Sequence, residues 1–139
     1  MTESEGEIEM NNPLERLLVD SREVDAEMLA TVLEPYVRID KESREIRGTT
    51  VWRQLSTGQK ILAALLARRA LAALGMIQED EVPLGPQALE QGTGVRGSTL
   101  RKELSRLYSD RLIQKDGSRY FVPGYGIEGA QDVLERSRS

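Results

Sequence analysis

The sequence predicts a mainly α-helical chain with a small β content, an α+β fold, on three observations. Residues 59–74 spread apolar side chains over a wide helical face, residues 97–110 read as a basic amphipathic helix, and Asp116-Gly117 between apolar runs reads as a hairpin turn. At the usual ~100–200 residues per domain, 139 residues make one domain able to bury its own core.

Residues 1–22 read as an acidic, largely disordered tail, opened by Glu3, Glu5, Glu7 and Glu9. Within it Leu14, Leu17, Leu18 and Val19 offer the start of a short helix, with Pro13 at its first position. Residues 23–56 read as a helix-and-hairpin extension. Asp25 is the expected N-cap of a helix to about Glu34, with Met28, Leu29, Val32 and Leu33 on one stripe and Pro35 helping to end it. Val37 and Ile39 alternate with charged neighbours, and a polar tip, Lys41-Glu42-Ser43, leads to Arg44-Glu45-Ile46-Arg47, which predicts a short hairpin. Trp52, the only tryptophan, is expected to anchor this layer to the core.

The next span, residues 57–125, carries the strongest signals. Ser56 or Thr57 caps a helix from Gln59 to Leu74, in which Ile61, Leu62, Leu65, Leu66, Ala70, Leu71, Ala73 and Leu74 form the core face. Gly75 stops it, and Arg68 and Arg69 near that end suit the helix dipole or nearby acids. An acidic linker, 78–81 with Pro83, precedes a short helix from Pro86 to about Gln91, broken by Gly92-Thr93-Gly94. The helix of residues 97–110 has Leu100, Leu104 and Leu107 at core spacing. Leu112 and Ile113 lead into a strand, Asp116-Gly117 turns the chain, and Tyr120-Phe121-Val122 returns. Tyr108, Tyr120, Phe121 and Tyr125 are expected to pack beneath this hairpin. Residues 126–139 read as a short C-terminal helix, Ala130 to Arg136, and tail.

Composition removes several functions. The chain has no histidine and no cysteine, so it lacks the commonest general base, thiol nucleophiles and the usual metal ligands. No pair of carboxylates is set up for acid–base work, and Gly92-Thr93-Gly94-Val95-Arg96-Gly97 lacks the Gly-Lys-Ser/Thr ending of a phosphate loop. The sequence therefore predicts no enzyme, no metal and no cofactor. No segment approaches the ~20 apolar residues of a membrane span, and the acidic N-terminus is unlike a signal peptide, so a cytoplasmic protein is expected.

Charge is segregated. The chain totals −4, yet residues 1–45 carry −8, residues 46–75 carry +5, residues 76–91 carry −4 and residues 92–125 carry +4. A polyanion partner therefore remains open, because the face presented matters more than the sum.

The order long helix, short helix, glycine turn, basic helix and hairpin resembles a winged helix-turn-helix domain. Gln87-Ala88-Leu89-Glu90-Gln91-Gly92-Thr93-Gly94-Val95 is similar to its scaffold helix and turn. Ser98 to Leu107 looks like its recognition helix, and Arg111 to Tyr120 looks like the run from helix end through strand and wing. Lys60-Ile61-Leu62 and Val122-Pro123-Gly124-Tyr125 add a likeness to uncharacterised prokaryotic winged-helix proteins. The resemblance covers about half of the chain and implies double-stranded DNA as the partner, a recognition helix at about 97–110 for the major groove, and a wing at 114–120 for the backbone or minor groove.

The helical wheel yields candidate contacts independently. At about 100° per residue from Leu100, the side chains of Ser98, Lys102, Ser105 and Ser109 point away from the core, flanked by Arg101 and Arg106. Ser98, Arg101, Lys102 and Ser105 are thus the expected groove contacts, with Arg106, Lys115 and Arg119 on phosphates. The function expected is a DNA-binding transcriptional regulator; residues 25–47 have the apolar side chains either for a homodimer interface, which would double the contacts of one helix, or equally for padding the monomer core. The alternative is a winged-helix protein–protein interaction module, an adaptor, favoured by the acidic N-terminus; RNA is a third partner class left open. An unbroken positive face from helix to wing favours DNA, whereas interrupting acids or an exposed apolar patch favour a protein.

Overall fold

The computed structural model describes residues 12–18 and 20–136. Helix α1 (Ser21–Leu33) leads into a hairpin of β1 (Val37–Ile39) and β2 (Ile46–Gly48), and α2 (Thr57–Ala73) follows. Then come α3 (Pro86–Thr93), α4 (Gly97–Ser109), the hairpin β3 (Gln114–Asp116) and β4 (Arg119–Phe121), and α5 (Ile127–Glu135). Short 3-10 turns occupy Pro13–Leu17, Thr50–Gln54, Glu79–Glu81 and Gly124–Gly126. The fold is mainly helical with small antiparallel hairpins, an α+β arrangement. No described helix is long and apolar enough to cross a membrane.

Helix α2 is the central element because it is apolar nearly all round. Ile61, Leu62, Ala63, Leu65, Leu66 and Ala67 are fully buried, and α1, α3, α4 and α5 all pack on it. Its start is fixed by a capping box: Ser56 Oγ accepts from the Gln59 amide at 3.2 Å, and Gln59 Oε1 accepts from the Ser56 amide at 2.8 Å. Its end is a Schellman motif. The Met76 amide reaches the Leu71 carbonyl and the Gly75 amide the Ala72 carbonyl, each at 2.9 Å, with Gly75 at φ +76°. The core face stops short of expectation: Ala73 and Leu74 are exposed, on an open groove between this end of α2, α1 and β1.

Helix α1 begins at Ser21, four residues before the expected cap, so Asp25 lies inside the helix. Backbone geometry decides this, since the Val24 amide already bonds the Asp20 carbonyl at 3.1 Å. The expected stripe is correct, with Leu29, Val32 and Leu33 buried. The first hairpin pairs Val37 with Gly48 and Ile39 with Ile46. At its tip Asp40 Oδ1 accepts from the Glu42 and Ser43 amides at 2.8 and 2.9 Å, an Asx-type turn that closes the hairpin. Trp52 packs on the core and against Gly48, where a Cβ would come within 2.9 Å of its Cγ. Arg47 lies near Asp40 and Glu45.

Three further differences have local causes. Residues Pro13–Leu17 form only a 3-10 turn with no buried residue. Helix α3 continues through Gly92 to Thr93, because its stop is the left-handed Gly94 at φ +79°. Helix α5 starts at Ile127 rather than Ala130, and its Ile127, Ala130 and Leu134 enter the core. Two long-range bonds tie it in: Tyr36 Oη donates to the Leu134 carbonyl at 3.2 Å, and Gln59 Nε2 donates to the Val133 carbonyl at 2.8 Å.

Arg68 and Arg69 form no ion pair among the described residues; Arg68 donates to the Glu81 carbonyl, with the Glu81 charge acting on it, and Arg69 donates to the Val122 carbonyl at 2.7 Å. They strap the 79–81 turn and the end of β4 onto α2. Burial lowers the Arg68 pKa, opposed by the Glu81 charge.

Candidate nucleic-acid interface

The candidate surface is built on the α3–turn–α4 unit. Thr93 Oγ1 donates to the Leu89 carbonyl at 2.6 Å and accepts from the Val95 amide at 3.1 Å, which fixes the turn and buries Val95. Gly97 enters α4 at φ +57°, so this glycine, costly by helix propensity, supplies a backbone angle other residues avoid. Arg96 contributes no side-chain cap; instead Glu90 Oε2 on α3 accepts from the Gly97 amide at 3.3 Å. A carboxylate on a helix N-terminus is favourably placed against its dipole.

Leu100, Leu104 and Leu107 are buried, and α4 therefore turns its opposite side outward. Ser98, Arg101, Lys102 and Ser105 are all exposed there. Neither Arg101 nor Lys102 has a hydrogen-bond or ion-pair partner among the described residues, so both charges are available. Arg96 and Arg111, at the two ends of the helix, are exposed as well. The sequence reading did not select these two. Arg111 is recognisable only in three dimensions, as the left-handed residue (φ +63°) that ends α4.

Arg106 and Arg119 are placed differently from Arg101 and Lys102. Arg106 pairs with Glu103, whose side chain is 17% exposed and receives Thr57 Oγ1 at 3.4 Å. Glu103 thus sits at the N-terminus of α2, which accounts for an acid on an otherwise basic helix. The approach is tight, since a Cβ on Gly58 would lie 2.7 Å from Arg106 Nη2. Arg119 lies 3.6 Å from Asp116 and donates to the Asp80 carbonyl at 3.2 Å. Both arginines are partly neutralised.

The second hairpin stands beside α4. Its strands pair Gln114 with Phe121 and Asp116 with Arg119, so the two loop residues are Gly117 and Ser118, one step beyond the expected Asp116-Gly117. Gly117 at the first central position, φ +65°, suits a type II′ turn. Leu84 adds a bridge on the other side of β4, exchanging bonds with Tyr120 at 2.9 and 2.8 Å.

Tyr108 joins the two elements. Expected in the core, it is 43% exposed on the Arg101 flank of α4, and Lys115 Nζ lies 4.9 Å from its ring centroid and 5.8 Å from that of Tyr120. The ring faces orient the ammonium electrostatically. The helical wheel carried this signal, because Tyr108 falls near Arg101 in angle. Tyr125 is also exposed, and Tyr120 and Phe121 are half-buried, so only part of the aromatic set lies beneath the hairpin. No group of three metal-ligating side chains occurs among the described residues.

No family model matches the chain, and no curated protein or solved structure is significantly similar to it.

Proposed function

We propose that residues 57–125 are a winged helix-turn-helix that binds double-stranded DNA, with α4 in the major groove, and that the protein is a transcriptional regulator. The observation that carries this reading is the acid-free outer face of α4, with Arg101 and Lys102 unpaired, running by way of Tyr108 to Lys115 on the neighbouring hairpin. The three-residue turn Gly94-Val95-Arg96 and the Leu84–Tyr120 bridge, which makes β4 a central strand, support the fold assignment. Ser98 and Arg101 suit base edges, Lys102 and Ser105 suit bases or phosphate, and Lys115 suits phosphate. Arg106 and Arg119 are assigned to phosphates only on release from Glu103 and Asp116.

The test is anisotropy of mixed-sequence duplex DNA over a salt series. Binding should fall steeply with salt, and Arg101→Ala with Lys102→Ala should weaken it and lower the salt slope by about one phosphate contact, that of Lys102, while leaving the fold intact. Unchanged affinity in that double variant removes α4 from the interface. The partial neutralisation of Arg106 and Arg119 favours a second reading, a protein-binding module. Absence of duplex binding at low salt would select it.

A further inference from the structure

Away from the α4 face, α1, β1 and the last turn of α2 enclose an open apolar groove of about 490 Å³. Ala26, Ala30, Leu33, Ile39, Ala73 and Leu74 line it, and Leu74 is 60% exposed. The same chain displays an exposed apolar segment: Leu14, Leu17 and Leu18, at the 3-10 turn of Pro13–Leu17, are 64%, 74% and 65% exposed. We propose that this leucine segment of a second copy seats in the groove, and reciprocally, giving a two-fold symmetric dimer.

Three features fit segment to groove. From Leu14 to Leu18 the chain spans about 8 Å at the 3-10 rise, and the groove runs about 10 Å along α1 from Ala26 to Leu33. The groove carries one acid and one base, Glu34 and Arg38; the segment carries Arg16 and Glu15, a complementary pair. Arg38 is held in place, donating to the Glu34 and Val37 carbonyls, while the Glu34 side chain is exposed. The segment of the same copy does not fill the groove: Leu14, Leu17 and Leu18 stay exposed although only two residues, Val19 and Asp20, separate Leu18 from α1, which leaves the groove open to a second copy.

The dimer does not depend on the DNA reading. Gly58, beside Arg106, and Leu74, in the groove, lie about 24 Å apart along α2, so the α4 face stays open when the groove is filled.

Sedimentation equilibrium of the full chain, from micromolar to submillimolar concentration, tests the proposal without DNA. A monomer–dimer equilibrium is expected, weakened about tenfold or more by Leu14→Ser with Leu17→Ser, and similarly by Leu74→Glu. All three side chains are exposed, so an unchanged urea midpoint of the monomer should accompany the loss. Glu34→Arg should also weaken the dimer, and adding Arg16→Glu should restore it. A monomer at every concentration overturns the proposal. So does a dimer indifferent to the leucine substitutions, which would mean that the copies meet elsewhere, or a Glu34→Arg defect that the second substitution does not relieve.

Discussion

Arg111 ends α4 in the left-handed region, at φ +63°, where its amide and that of Leu112 complete a Schellman motif with the Tyr108 and Leu107 carbonyls, each at 3.0 Å. An L-residue there costs roughly 1–2 kcal/mol that glycine avoids. Glycine in turn loses about 0.5–1 kcal/mol through its freer unfolded chain. The Arg111 side chain is exposed and makes no compensating bond among the described residues. Arg111→Gly should therefore stabilise the protein by about 0.5–1 kcal/mol, or about 2–4 °C in Tm. Urea unfolding followed by circular dichroism measures it, with Arg111→Ala as control: alanine removes the same charge but keeps the penalty, so it should gain nothing. Equal stabilisation by both variants would refute the backbone argument and point to charge repulsion among Arg111 and its basic neighbours. If α4 binds DNA, Arg111→Gly should also weaken duplex binding, and a cation kept at an energetic cost becomes intelligible.

Leu104, 2% exposed between α4 and α2, should cost roughly 2–5 kcal/mol as Leu104→Ala in urea unfolding; a change below about 1 kcal/mol would mean that α4 is not packed as described. Gln59→Ala removes both the capping-box bond to Ser56 and the tie to Val133, so a loss of about 1–3 kcal/mol is expected, with earlier proteolysis of the α5 end. The Ser43 and Glu42 amides that Asp40 accepts from hold its pKa below the ordinary 3.8; desolvation opposes them, and the Ser43 hydroxyl and Arg47 add lesser lowering. A depressed carboxyl stabilises the fold above its unfolded pKa and loses that contribution as pH falls through the folded value. Wild type should thus exceed Asp40→Asn in stability near neutrality, and the difference should shrink below about pH 4; a constant difference down to about pH 2 would show that the Asp40 charge is not what the hairpin tip uses.

Much of this fold was legible from residue order alone, because its signals are local. The Ser56 cap, the apolar run to Leu71, Gly75, the spacing of Leu100, Leu104 and Leu107, and the paired runs about Gly117 each act within a few residues. The exposed set Ser98, Arg101, Lys102 and Ser105 followed from the same arithmetic, since a helix with one buried stripe leaves its opposite side in water. Tertiary contact decided the rest. Whether a cation is free depends on what another element brings near it: Glu103 reaches Arg106 at the start of α2, and the Asp80 carbonyl reaches Arg119 across 39 residues. Likewise Tyr108 left the expected core because Lys115 and open solvent lie beside it, and Leu74 stayed exposed because α1 and β1 leave an open groove against the end of α2. Periodicity assigns a side chain to a face; only packing determines what meets that face, because the partners are distant in sequence and no local energy encodes them.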